Sequence, residues 1–452
     1  MNKKEIIALL KEQKHEKIKV AIIDIDGVAR GKFMSKNKFI SALESEFGFC
    51  QVVFGWDMSD ACYDNVKVTG WHTGYGDMEA KIDPSTIRTI PWEGDIPFFI
   101  ADFDTTVNDK SYVCPRTLLK KVIAEAEDMK FKPLFSQEFE WFNYRESSTS
   151  LYEKNFQNLN PITSGMFGYS LLKMAENDAY FSDLFDLMKD FNIPLEGLHT
   201  ETGPGVTEAA IEYSDILEAA DRAALFKLAA KQIGFKHGII SSFMAKQISS
   251  LPGCSGHIHQ SLWDMEKKKN LFYDDSKAYE ISDIMKSYIA GQLICLPEIL
   301  PMFAPTINSY KRLVEGAWAP TNLTWGIDNR TTALRVLTTG KKSTRIEHRV
   351  VGSDTNSYLA MAAALASGLY GIKKGLKLET PATKGNGYED YSNGALPKNL
   401  WESSQKMKQS KIAKELFGDD FVDHFTKTRE WEWREFSKEV TDWETKRYFE
   451  IL

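Results

Sequence analysis

At 452 residues the chain exceeds what one hydrophobic core usually serves, so two domains, or one large domain with an accessory part, are expected. Apolar residues at 43% and charged residues at 26% are ordinary for a soluble globular protein. A formal charge of −7 excludes a general nucleic-acid binder, and five scattered cysteines without a CxxC pair exclude a disulfide framework and fit a reducing, cytoplasmic setting.

The stretch around Ile6, Ile7, Leu9 and Leu10 is amphipathic and soon interrupted by charge, unlike a signal peptide. Ile18 to Ile23 is an apolar run rich in β-branched residues, and Asp26-Gly27 supplies a turn before Val28 to Phe33, which predicts an early hairpin in a small sheet domain. A further apolar segment, Pro97 to Phe103, precedes the polar stretch Asp104 to Ser111, the expected domain boundary; the division is 1–108 and 109–452. Pro115 starts a helix through Ile123 and Ala126, and short strands then alternate irregularly with long helices.

After Tyr213 the spacing of Ile216, Leu217, Ala220, Ala224, Leu228 and Ala229 predicts a helix that Ser214 can cap. The run Tyr358 to Ile372 is short, rich in alanine and broken by Gly368 and Gly371, so it reads as a buried helix and not as a membrane span. Near the end, Trp431, Trp433, Phe436 and Trp443 read as packing aromatics on a helical pattern. Neither a GxGxxG opening a helix nor a GxxxxGK[ST] is present, so a Rossmann or P-loop nucleotide site is unsupported.

Four segments can carry chemistry. In Phe135 to Phe142, Glu138 and Glu140 alternate with aromatics, so an extended backbone puts both carboxylates on one face, and like charges so close are favourable only around a cation such as Mg²⁺ or Mn²⁺. Glu196, Glu201 and Glu208 flank a Gly-Pro-Gly turn able to fold Glu201 toward Glu208, although taken alone the segment also fits a surface hairpin. His257 and His259 stand at strand spacing, an arrangement found in metal and phosphate contacts and also in satisfied cores. Finally Asn308 to Arg312, Arg330, Arg335, and the run Arg345-Ile346-Glu347-His348-Arg349 gather five arginines, suited to a polyphosphate plus a carboxylate or, as the duller alternative, to a salt-bridged surface.

These pieces, in this order, resemble the glutamine synthetase superfamily nearly end to end, from Ala21 to Glu444. The resemblance implies an α+β fold: an N-terminal β-grasp domain followed by a catalytic domain built on a curved antiparallel sheet with helices. It implies ATP and Mg²⁺ or Mn²⁺ as cofactors, with one ion held by Glu140, Glu201 and Glu208 and another by Glu138, His257 and Glu347. Glu196, His259 and Ser261 resemble residues beside ATP, and Arg330, Arg335 and Arg345 resemble phosphate-binding arginines. Asn308-Ser-Tyr-Lys-Arg-Leu-Val matches the family motif whose arginine, here Arg312, holds the α-carboxylate of glutamate; Gly253 resembles a glycine of that pocket, and Arg349 is implied at the γ-carboxyl and the transferred phosphate. Family members form homo-oligomeric rings of six, often doubled to a dodecamer, with active sites between subunits; no nucleic acid or membrane is implied.

The pattern departs from the family on the side that meets the amine. Trp318 occupies the place of the flap glutamate that helps deprotonate ammonium, with Glu315 three residues earlier as a substitute able to swing in. The family's ammonium-side motif is replaced by Phe54-Gly55-Trp56-Asp57-Met58-Ser59-Asp60, where Asp57 or Asp60 supplies an acid. An indole in place of a carboxylate suits an alkyl- or arylamine better than ammonia. The expectation is therefore an ATP-dependent ligase making a γ-glutamyl amide, with a true glutamine synthetase as the near rival. A non-catalytic member of the superfamily is disfavoured because all six metal positions are kept.

Overall fold

The computed structural model describes residues 3–103 and 111–452; the expected boundary, Asp104 to Ser111, lies outside the described residues in all but its last position, and the 108/109 division with it. The chain opens with a helix, Lys3–Glu12, and the expected hairpin of β1 (Lys17–Ile23) and β2 (Ala29–Ser35). Its turn closes because Asp24 Oδ1 accepts the N–H of Asp26 and of Val28, while Gly27 takes φ +82°, a left-handed value that glycine adopts without strain. Four more strands follow: β3 (Phe47–Cys50), β4 (Asp77–Ile82), β5 (Arg88–Ile90) and β6 (Ile96–Phe103).

The strand order is β2-β1-β6-β4-β3, with β5 also on β6, and β6 is buried at every position. One face of this sheet, through Val20, Ile22, Phe99 and Phe103, packs on Phe39 of the helix Lys36–Glu44. The other face, through Ala21, Ile23, Phe98 and Ile100, joins the main core. A parallel β1–β6 pair inside an otherwise antiparallel sheet with one helix across it is the β-grasp arrangement expected for this end.

Among the described residues the second sheet has nine strands: β7 (Lys132–Tyr144), β8 (Leu195–Thr200), β9 (Val206–Ile211), β10 (Ser214–Asp215), β11 (Ile240–Ser242), β12 (Gly256–Trp263), β13 (Trp325–Ile327), β14 (Leu334–Leu337) and β15 (Arg345–His348). Its path is β13-β14-β15-β12-β7-β9-β8, antiparallel except at β13–β14, with β10 and β11 on the two ends of β7. Alternation along β7 separates chemistry from packing. Phe135, Phe139 and Trp141 point into the helical layer, where Phe139 and Trp141 meet Phe226 and Phe243, while Glu138 and Glu140 point the other way.

Helices Ile216–Lys236, Asp283–Ile299 and Ser357–Lys373 back that face, and the last is buried over almost its whole length, as its composition predicts. Gly291 lets two of them cross closely, since a Cβ there would stand 2.3 Å from the carbonyl of Ser367. Among the described residues no helix is long and apolar enough to cross a membrane.

Two local expectations change. The helix after Tyr213 is capped at Asp215, not Ser214, and without a side-chain cap bond, because Ser214 and Asp215 are drawn into pairing with Phe135 and Leu134 of β7. The C-terminal aromatics do not form one packing row: Trp433 packs on the core, but the helix Asp419–Phe436 ends first, and Trp443 stands 61% exposed on a separate helix, Asp442–Tyr448.

Candidate active site

Strand register brings the sequence-distant acidic and imidazole residues together. Along β15-β12-β7-β9-β8, Glu347 pairs with His259, His257 with Glu138, Glu140 with Glu208, and Glu208 with His199. Residues paired across antiparallel strands share a face with Cβ atoms roughly 5 Å apart, so the register alone builds a carboxylate and imidazole floor. Glu201 is added by the Gly-Pro-Gly turn: its N–H donates to Val206 O at 2.9 Å, and Gly203 and Gly205 hold φ of +138° and +71°.

Five of the six predicted metal residues, Glu138, Glu140, Glu201, Glu208 and His257, line one cavity of about 390 Å³ together with Tyr169, Gly253, Arg312, Trp318, Arg330 and Arg349. The sixth, Glu347, is buried beside it, 3.2 Å from His257 Nδ1. Glu138 also lines a neighbouring cavity of about 430 Å³, whose wall carries Glu196, Tyr213, His259, Ser261 and Arg345. The two cavities therefore meet at Glu138.

The electrostatics of the floor call for a cation. Burial, followed by the charges of Glu138, Glu140 and Glu201, pushes the Glu208 carboxyl up to about 11. Burial likewise raises Glu140, although Ser255 N–H donates to its Oε2 at 2.5 Å. Glu138 and Glu347 go the other way: burial opposes ionisation, but His257 and His259 hold Glu138 well below the usual range, and Arg349 and His257 bring Glu347 to about 2. His257 is lowered to about 4 by burial and Arg349, and among the described residues its buried Nε2 has no partner. Crowded carboxylates fit a hard divalent cation with mainly oxygen ligands.

Ligand atoms lie within 4.8 Å of one another in two groups, Glu138–His259–Glu347 and His199–Glu201–Glu208. The expected grouping differs in two places. His257 stands behind Glu138 and Glu347 with Nδ1 toward them, while His259 reaches Glu138 Oε2 at 3.6 Å; and Glu140 is turned to Ser255 N–H, leaving His199 nearest Glu201 and Glu208. His199 was not singled out by the sequence reading, nor was Tyr169, which stacks on it at 4.2 Å. The spacing of His199 two residues before Glu201 carried the signal for the first; nothing in the sequence pattern marked the second.

The arginines are divided between anion-facing and framework positions. Arg349 pairs with Glu347 and donates to Arg330 O at 2.9 Å and to Trp318 O at 3.4 Å, and Arg335 bridges Glu347 and Asp328. Arg345 Nε donates to His259 Nδ1 at 3.1 Å. Arg312 is buried, donating to Val350 O and Arg349 O at 2.9 and 3.0 Å. Gly253 lies so near that a Cβ would stand 2.4 Å from Ala245 O and 3.0 Å from Arg312 Cγ, so glycine is required for the backbone to form this wall. Ser261 Oγ, on the other cavity, accepts from Trp263 Nε1 at 3.0 Å.

At the mouth, Trp318 is 61% exposed with φ +58°, a conformation that costs a non-glycine residue roughly 1–2 kcal/mol. Glu315 is exposed and does not line the cavity. Asp57 is not brought to either cavity of its own chain: Oδ1 accepts Ser59 N–H and Ala61 N–H, and Oδ2 accepts Trp431 Nε1 at 3.1 Å. Asp60 is paired with Arg30 at 2.6 Å.

Comparison with known proteins places this site in context. The family description "Glutamine synthetase, catalytic domain" matches residues 112–448. The chain is 53% identical to a type-1 glutamine synthetase 2 of Dictyostelium discoideum, over all of this chain and 87% of the relative. It is 34% identical to a glutamate–isopropylamine ligase of a Pseudomonas species, over all of this chain and 99% of the relative. A solved structure of a GmaS/ADP complex superposes with a TM-score of 0.85 at 24% identity, covering 98% of this chain and 99% of that one, which establishes the shared fold.

Proposed function

The chain belongs to the glutamine synthetase family, and from that premise we propose that it is an ATP-dependent ligase joining the γ-carboxyl of glutamate to a primary alkyl- or arylamine. The observation that carries the acceptor assignment is the mouth of the carboxylate cavity. Trp318 and Tyr169 line it, and no carboxylate of the Trp318 loop faces it. An apolar, π-rich rim binds the alkyl or aryl part of an amine, which ammonia lacks.

In this reading the cavity of Glu196, His259, Ser261 and Arg345 takes ATP, and the one containing Gly253 and Arg312 takes glutamate. The two meet at Glu138, so the γ-phosphate and the γ-carboxylate approach over the acidic floor. Divalent cations of the Mg²⁺ or Mn²⁺ class, held by Glu138, Glu140, Glu201, Glu208, His257 and Glu347, would supply neutralisation of the two anions. Arg330, Arg335 and Arg349 stabilise the charge developing on the transferred phosphoryl group. Phosphorylation of the γ-carboxylate gives γ-glutamyl phosphate, and attack by the neutral amine expels phosphate and leaves the amide. The proton lost by the ammonium form goes to a carboxylate at the mouth acting as base, for which we assign Asp57 of a neighbouring subunit in a homo-oligomeric ring, since Asp57 is remote from its own chain's cavities.

We also divide the chain into an N-terminal part, 1–108, and a catalytic part, 109–452, a division supported by the two separate sheets. Ammonia is the second reading for the acceptor, favoured by the name of the 53% identical relative. Glutamate-dependent ATP turnover measured over a panel of amines, ammonia included, with products separated by mass, tests the proposal. A primary amine should exceed ammonia in kcat/KM by roughly ten- to a hundredfold. Ammonia equal to or better than every amine replaces the amine reading with the glutamine-forming one.

A further inference from the structure

Lys227, on the helix Ile216–Lys236, points its ammonium into the back of the loop 349–355. Nζ donates to Ser353 O at 2.8 Å and Thr355 O at 2.7 Å and lies 5.5 and 5.8 Å from the ring centres of Phe139 and Phe243. Among the described residues no carboxylate forms an ion pair with it, although Asp354 acts on it at longer range against the burial that lowers its pKa to about 7. A buried cation without a paired anion is costly, and the two carbonyl contacts, with the faces of the Phe139 and Phe243 rings, are the compensation the site offers.

The loop it pins contributes Arg349 to the carboxylate cavity and, behind it, holds other residues of that cavity in place. Arg312 donates to Arg349 O and Val350 O, Ser353 Oγ donates to Glu140 O at 2.6 Å, and Asp354 Oδ2 accepts from Ser309 Oγ at 2.6 Å and Thr306 Oγ1 at 2.7 Å. One short segment thus fixes the Arg312 guanidinium, the Glu140 backbone and the start of the Asn308–Arg312 motif. The cavity of Glu196 and Arg345 has no wall residue in this loop.

We propose that Lys227 is a positioning residue for the carboxylate substrate: through the Ser353 and Thr355 carbonyls it sets the loop 349–355, and through the loop the pose of Arg312 and Glu140. Without the ammonium, two carbonyls must find other donors, and the loop turns to do so. This inference rests on the reading that the Arg312 cavity binds glutamate.

The test measures glutamate KM and ATP KM separately for the full chain and its Lys227→Met variant, with Mg²⁺ saturating and one effective amine as acceptor. Glutamate KM should rise roughly tenfold in Lys227→Met while ATP KM stays within about twofold, and Lys227→Arg, which keeps charge and donors, should recover most of the loss. If Lys227→Met is insoluble, Lys227→Gln replaces it with the same split expected. Glutamate KM unchanged, or both constants moved together, overturns the proposal. A wild-type chain without glutamate-dependent ATP turnover defeats the functional reading itself, whereas an active wild type with unmoved variants defeats this inference alone.

Discussion

The acidic floor and the Trp318 loop lie on the same cavity but are built by opposite means. The floor is held by paired strands: Glu138, Glu140, Glu208, His257 and Glu347 are each fixed by register to a neighbour on the next strand and backed by buried aromatics. The loop has an exposed indole at φ +58°, and its Trp318 carbonyl accepts from Arg349 at 3.4 Å. Strand scaffolds hold the chemistry shared across a fold, and loops carry the part that varies between substrates. Damage to the floor should therefore abolish activity with every acceptor, and changes in the loop should redistribute it among acceptors.

The largest effect is expected at Glu347, which touches His257, Arg335 and Arg349 at once. Glu347→Ala, and likewise Glu140→Ala, should reduce kcat at least roughly a thousandfold with ammonia and amines alike, as should removal of divalent cations by a chelator. Full turnover in excess chelator would remove the cation from the account. A loss confined to one acceptor would break the contrast between floor and loop.

A second consequence concerns protons. Because the Glu208 carboxyl is raised to about 11, the cation-free protein keeps it protonated at neutral pH, where the unfolded chain does not. The native state then binds more protons than the unfolded one from about pH 4.5 up to the folded pKa, so this group makes the cation-free protein less stable as pH rises through that window. Binding of Mg²⁺ or Mn²⁺ should expel about one proton near pH 7 and reverse the trend. Calorimetry in buffers of different ionisation enthalpy measures the release, and Glu208→Gln should remove it. No buffer dependence in the wild type would mean that Glu208 is already ionised.

Much of this was legible in the sequence, for a physical reason. Period-two alternation in β7 and β12 and the turn chemistry of Gly203-Pro204-Gly205 are local, so they predict which residues share a face. Register is not local: that Glu140 pairs with Glu208 and His257 with Glu138 depends on segments about 70 and 120 residues apart, and only the family resemblance anticipated it. For the same reason Tyr169 escaped notice, since its stacking on His199 joins a turn to strand β8 across about thirty residues with no shared period. Ser214 failed as a cap because pairing with β7 outbid a contact worth about 1 kcal/mol.

The smallest effect expected, and the one most specific to this chain, is at Trp318. Its indole lines the cavity mouth but holds no part of the floor, so Trp318→Ala should leave glutamate-dependent ATP binding near wild type while lowering kcat/KM for the preferred alkyl- or arylamine roughly tenfold, the value of one well-buried apolar group of about 1–3 kcal/mol. Trp318→Glu should go further in selectivity and less far in rate. A carboxylate at that position can accept a proton from ammonium, so ammonia should gain as the amine loses. The left-handed backbone gives a control, because relieving it with Trp318→Gly removes the strain and the indole together. If selectivity follows the indole, the Gly and Ala variants behave alike toward the amine panel; if it follows the strained loop, the two separate. Competition between ammonia and a primary amine in one vessel, read by mass as glutamine against γ-glutamyl amide, reports the ratio directly. An unchanged ratio across all three variants would move the acceptor determinant off this loop and onto the other wall of the mouth, at Tyr169 or a neighbouring subunit.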